Sequence, residues 1–180
     1  MEELTRRGLE EEVYLWSDDA LSADFLWTSL TDSEREYLAN FSNYGHVGCF
    51  KGFSPEAFTF NTRADMSGFD QQFKRFGRLI ELGIDLYAYV TLTAETEADL
   101  ESAIPRFVDR LQLLHPNLPL RTIPLQILEF TPVTSRLNLK RQNALLIQKH
   151  AAAVWTRELE TRFSSTMRSL NVVDVPMRDS

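Results

Sequence analysis

The stretch FDQQFKRFGRLIELGIDLYAYVTLT, residues 69–93, decides the fold. Phe69, Phe73, Phe76, Leu79, Ile80 and Leu82 recur at helical spacing, which predicts an amphipathic helix. Gly83 stops that helix, and Ile84–Thr93 then shifts to the aromatic and β-branched residues of a strand. Outward from this pair the same alternation recurs. Strand-like runs lie at Glu12–Ser17, His46–Lys51 and Leu120–Phe130, with helical patterns between them. A strand reached through a helix pairs in parallel with its predecessor, because a tight turn cannot connect parallel neighbours. The sequence therefore predicts an α/β fold with four parallel strands and helices outside them. Ligands of such sheets meet the carboxyl ends of the strands. That directs attention to Asp18-Asp19, Lys51-Gly52, Thr91–Thr93 and Thr131-Pro132.

Caps and breakers support the same layout. Glu2–Arg7 followed by Gly8 has the form of a short helix with a glycine stop. A helix is expected from a Thr31 or Ser33 cap to about Phe41, with Glu34 placed to complete a capping box at Thr31. Ser54-Pro55 opens another helix, with proline at its first position. Gly45 and Gly48 inside the second strand suggest a close approach by something on one side. Pro105 interrupts the helical period of Thr96–Leu114 and predicts a kink or restart, since proline lacks the amide donor. Pro119 and Pro124 place the fourth strand at an open edge of the sheet. A long final helix is expected from Asn138 to about Thr166, with Leu145, Ala152, Trp155 and Leu159 inward. The reading is one domain over residues 1–180: an α/β unit at 10–135, then a C-terminal helix and tail at 136–180.

Composition restricts function. The chain of 180 residues has a formal net charge of −7, which opposes general affinity for nucleic acid or anionic lipid. Residues 1–40 carry three basic and eleven acidic side chains, whereas 136–168 carry seven basic and two acidic. The basic stretch reads as a solvated helix face, because Trp155 and Phe163 fall where they would pack inward rather than interleave with the cations. No apolar run approaches the roughly 18 residues of a membrane span, and the N-terminus does not read as a signal peptide. The expected compartment is cytoplasmic. One cysteine, Cys49, rules out an internal disulfide and an all-cysteine metal site within one chain.

Among the strand-end residues, Asp18 and Asp19 could meet a hydroxyl, an amine or a metal. Adjacent side chains on extended backbone point to opposite faces, so at most one enters a given site. Lys51 could set a cation against a carboxylate or phosphate at the strand mouth. Cys49 shares its face but lacks an activating pattern and reads as a structural thiol. His46, His115 and His150 show no metal-ligand spacing. Glu129 is a further candidate near the end of the last strand.

At these strand ends the chain resembles the later part of a radical S-adenosylmethionine barrel, in the branch that includes the glycyl-radical activating enzymes. That family builds six strand–helix units into an open barrel. A CxxxCxxC after its first strand holds the cluster, and a Gly-Gly-Glu ends the second. Ser17-Asp18-Asp19 resembles the Asp-rich turn ending the third strand. Cys49-Phe50-Lys51 resembles the Asp-x-Lys of the fourth, with Cys49 at the acidic position. Tyr87-Ala88-Tyr89-Val90 falls at the Ile-Arg-Tyr-Val of the fifth, with Ala88 in place of arginine. Phe130-Thr131-Pro132-Val133 resembles the end of the sixth. CxxxCxxC and Gly-Gly-Glu do not occur in these 180 residues.

The resemblance implies a partial (β/α) barrel that is the C-terminal portion of a radical S-adenosylmethionine enzyme. Asp18, Asp19 and Lys51 would contact S-adenosylmethionine, and Tyr89, Thr91, Glu129 and Thr131 would line the substrate. The [4Fe–4S] cluster would belong only to a longer parent protein, leaving this portion inactive alone. An N-terminal fragment, or a second copy, would pair with the exposed first strand. The alternative is a non-catalytic binding or subunit protein that pairs through the same strand.

Overall fold

The computed structural model describes residues 1–97, 99–128 and 139–177. Its centre is one sheet of four parallel strands in the order β1-β2-β3-β4: β1 (Leu15–Asp19), β2 (Tyr44–Phe50), β3 (Asp85–Thr91) and β4 (Thr122–Leu125). Helix α1 (Glu2–Arg7) precedes β1 and ends at Gly8, whose φ of 67° is the left-handed conformation a glycine stop requires. Helices α2 (Phe25–Ser29) and α3 (Asp32–Asn40) connect β1 to β2. Thr31 and Glu34 form the expected capping box on α3, whereas α2 has no counterpart in the sequence reading. Helices α4 (Pro55–Thr62) and α5 (Gly68–Glu81) lead to β3, with the Ser54 hydroxyl accepting from Ala57 N–H at 3.1 Å.

Helix α6 (Leu100–Leu114) is continuous through Pro105, so the interruption predicted there does not divide it. A 3₁₀ turn, Leu118–Arg121, then takes up Pro119 and leaves only four residues for β4. Pro124 sits in this edge strand, where a missing donor is tolerated. The strand was expected to continue through Phe130, but residues 126–128 lie outside it, and the last two residues of that run, 129 and 130, lie outside the described residues. Helix α7 (Leu139–Arg162) follows, then α8 (Ser165–Arg168) and a second 3₁₀ turn, Val172–Asp174. The inward positions of α7 are Ala144, Ile147, Ala151, Val154 and Trp155, while Leu145 is half-buried and Ala152 and Leu159 flank the core.

The two faces of the sheet differ. Phe50, Leu86, Ala88 and Val90 join one large core with side chains of α4, α5, α6 and α7. At its centre the Phe50 ring lies 4.9 Å from Phe73, 5.4 Å from Phe76 and 5.5 Å from Phe107. On the other face Val47, Cys49 and Tyr87 form a separate small cluster with Tyr89 and Val172. Among the described residues this second face has no long helix over it. Tyr14 and Trp16 lie on it, at 48% and 45% exposure. The apolar run Val13–Trp16 within the expected Glu12–Ser17 strand reads from sequence as a buried strand. It is instead a half-exposed edge strand that starts later and includes Asp18 and Asp19.

Candidate functional site at the strand ends

Alternation on β1 separates its two aspartates. Asp18 is exposed, and Trp16 Nε1–H donates to its Oδ1 at 3.0 Å, which sets it on the open face. Asp19 turns to the helix face, where its Oδ1 accepts Leu21 N–H at 2.7 Å and its Oδ2 lies 3.9 Å from His46 Nε2. Asp18 is thus the aspartate free to meet a ligand on the open face. His46 is buried, and the Ser17 and Tyr44 hydroxyls each lie 2.9 Å from its Nδ1. Burial holds its pKa below the ordinary histidine value, against the pull of Asp19 and Asp18. The Ser17 and Tyr44 hydroxyls also lie 2.6 Å from each other, closing a three-group cluster on Nδ1, while Nε2 makes no hydrogen bond among the described residues.

Lys51 immediately follows β2 and is half-buried. Its main chain is fixed: its N–H donates to Gln72 Oε1 at 2.8 Å, and its carbonyl accepts from Asn61 Nδ2 at 2.9 Å. Asn61 also donates to the Thr93 carbonyl at 3.0 Å and accepts from the Thr93 hydroxyl at 2.7 Å. One side chain of α4 therefore ties the ends of β2 and β3 together. Lys51 forms no ion pair among the described residues. Burial pushes the Cys49 thiol up, while the Lys51 ammonium favours its thiolate and Asp18 and Asp19 oppose it. These four groups share one electrostatic neighbourhood at the strand mouth.

Tyr89 is half-buried beside Cys49 in the small cluster, and Thr91, the last residue of β3, is buried. Glu129 and Thr131 lie outside the described residues. Sequence reasoning missed Asn61 and Gln72. Gln72 carried a usable signal, since it interrupts the phenylalanine stripe of α5 and is fully buried there. A buried amide needs partners, and the Lys51 main chain supplies one. Among the described residues no group of three or more His, Cys, Asp and Glu side chains is gathered to hold a metal ion.

The opposite, N-terminal ends of the strands hold a second polar cluster. The Tyr14 and Tyr87 hydroxyls donate to Asp85 Oδ2 at 2.9 and 2.8 Å, and Arg121 pairs with Oδ1. Partial burial, then the bond to Asp85, drive the Tyr14 phenol far above its ordinary pKa. A cavity of about 390 Å³ adjoins this end, lined by Leu38, Phe41, Tyr44, Ile84 and Asp85 among others. It is remote from the strand mouths that parallel sheets use for ligands.

No protein-family profile, curated protein or solved structure matches the chain.

Proposed function

We propose that this chain forms the last four strand–helix units of a radical S-adenosylmethionine (β/α) barrel and supplies cofactor- and substrate-contacting strand ends to an otherwise separate radical-generating part. The observation that carries the reading is the sheet itself. Four parallel strands run in sequence order, the long helices cover one face, and β1 ends the sheet with one side unpaired among the described residues. In this reading Asp18 and Lys51 contact S-adenosylmethionine from the open face, and Asp19 supports His46 from behind. Tyr89 and Thr91 form the substrate wall, with Glu129 and Thr131 assigned to it from the sequence resemblance. A [4Fe–4S] cluster, held by cysteines of the other part, would supply the electron that cleaves S-adenosylmethionine. The residues of this chain orient the cofactor and exclude water.

The test is S-adenosylmethionine binding by equilibrium dialysis, on the chain co-expressed with the polypeptide encoded directly upstream. Lys51→Ala and Asp18→Asn should each weaken binding by about tenfold or more, the scale of one lost charge-assisted contact. Unchanged binding in both variants would remove these residues from the site. Absence of a CxxxCxxC in the upstream polypeptide, with no binding, would favour a second reading, a non-catalytic subunit docking through β1. The exposed Tyr14 and Trp16 beside that free edge support this alternative.

A further inference from the structure

The open face of the sheet is not bare. After α8 the chain returns across it, and Val172 packs on the Val47, Cys49 and Tyr87 cluster. Arg121 anchors this return. Its Nε–H donates to the Val175 carbonyl and an Nη2–H to the Val173 carbonyl, both at 2.8 Å. The same guanidinium pairs with Asp85, donates to the Leu86 carbonyl at 3.2 Å and lies 4.7 Å from the centre of the Tyr87 ring. Asn117 Nδ2 adds a bond of 3.0 Å to the Pro176 carbonyl. The anchoring is therefore side chain to main chain: among the described residues, Arg121 and Asn117 supply the hydrogen bonds that tie residues 172–176 to the rest of the fold. The segment has a single 3₁₀ turn, and Val173 is 57% exposed.

We infer that residues 171–177 are a releasable strap over the open face, clasped by Arg121, whose opening uncovers the apolar strip of Val47, Cys49 and Tyr87 without unfolding the sheet. The physical basis is the difference in anchoring. The strip belongs to strands held by ladders on both sides and by the main core, whereas the strap is held by Val172 on the strip, the buried Val175, the contact of Met177 with the main core and the Arg121 and Asn117 bonds, with no ladder to a strand among the described residues. Segments of this kind open at a fraction of the global unfolding free energy. Under the function proposed above this face carries the site, so the strap would control which ligands reach it. The inference about release does not depend on that function.

Cys49 makes release measurable, because it is the sole cysteine and lies in the covered strip at 8% exposure. The experiment follows its reaction with DTNB on the full chain as urea is raised from zero toward the unfolding midpoint. Opening of the strap predicts a labelling rate nearly independent of urea at low concentration, joining the global unfolding slope only near the midpoint. Val172→Asp, and a chain ending at Leu170, should raise the low-urea rate by at least about tenfold while far-ultraviolet circular dichroism stays native. Labelling of the intact chain that follows the global slope throughout would overturn the inference. So would a rate equal to that of a free thiol, or unchanged protection in a folded variant. If both variants fail to fold, the urea dependence of the intact chain decides alone.

Discussion

Adding one methyl group at Gly48 tests how tightly α5 is seated on the sheet. A Cβ built there lies 2.5 Å from Phe76 Cδ2, 2.7 Å from its Cε2 and 3.2 Å from Leu21 Cδ2. Phe76 is fully buried and its ring stacks near Phe50 at 5.4 Å, so it has no empty volume to swing into. Relief requires α5 to move outward or the ring to leave its rotamer. Overpacking of this kind costs about 1–3 kcal/mol. Replacing glycine by alanine returns about 0.4–1 kcal/mol through the unfolded chain. The net for Gly48→Ala is a loss of about 1–2 kcal/mol, or a fall in Tm of roughly 2–8 °C for a domain of this size. Urea unfolding should show a lower midpoint at unchanged slope. Phe76→Leu in the Gly48→Ala background should recover about 1 kcal/mol relative to additivity. Gly45→Ala is the contrast. Its added Cβ meets the Tyr14 hydroxyl and, at 3.0 Å, Trp16, two half-exposed rings that can shift toward solvent. It should cost less than Gly48→Ala. A Gly48→Ala protein as stable as the parent, or a Gly45→Ala protein that is worse, would refute the assignment of the two faces.

Stability should also respond to pH through His46. Its folded pKa is depressed by burial below an unfolded value of about 6.5, so the unfolded chain binds the proton more tightly. Stability is then full above that value, falls as pH drops through it, and stops falling from this cause below the folded pKa. His46→Gln should flatten the urea midpoint between about pH 7.5 and 5 relative to the parent. Iron–sulfur reconstitution of this chain alone should give no cluster that survives desalting, because Cys49 offers one thiolate where a cluster takes several. The unpaired side of β1 should drive self-association at about 50 µM in sedimentation, and Trp16→Lys should reduce it. A monomer in the parent chain would show that the edge is already protected.

The fold was legible where a local signal had a single physical outcome. The phenylalanine stripe of α5, the Thr31 capping box and the Gly8 stop each specify their geometry without help from the rest of the chain. Pro119 and Pro124 marked the edge for the same reason. Boundaries were less legible. Val13-Tyr14-Leu15-Trp16 looks buried because it is apolar, yet an edge strand with one neighbour leaves Tyr14 and Trp16 partly in water. The glycines of β2 do report close approach, but from both sides: rings of Tyr14 and Trp16 over Gly45, and the Phe76 ring under Gly48. The long final helix was visible, but its inward face was misplaced by about one residue. The site was legible only in part. Strand periodicity separates Asp18 from Asp19, whereas the ties from Asn61 and Gln72 to the Lys51 main chain join residues 10 and 21 positions apart. No spacing rule anticipates them, because the geometry between α4, α5 and β2 is set only once the core has formed.

Strand order that repeats chain order has a consequence for how the molecule is assembled. Each strand needs only the one made just before it as a template, and no strand must wait for a later segment to be inserted between its neighbours. Pairing across one helix keeps sequence separations short for a parallel sheet, which lowers the entropic barrier to each addition. A chain emerging from the ribosome can therefore build the sheet vectorially, one unit at a time, with each completed pair burying its own share of the core. The same logic makes the architecture modular. A unit gained or lost at β1 leaves every internal pairing intact, so the length of such a sheet can change in evolution without redesign of what remains.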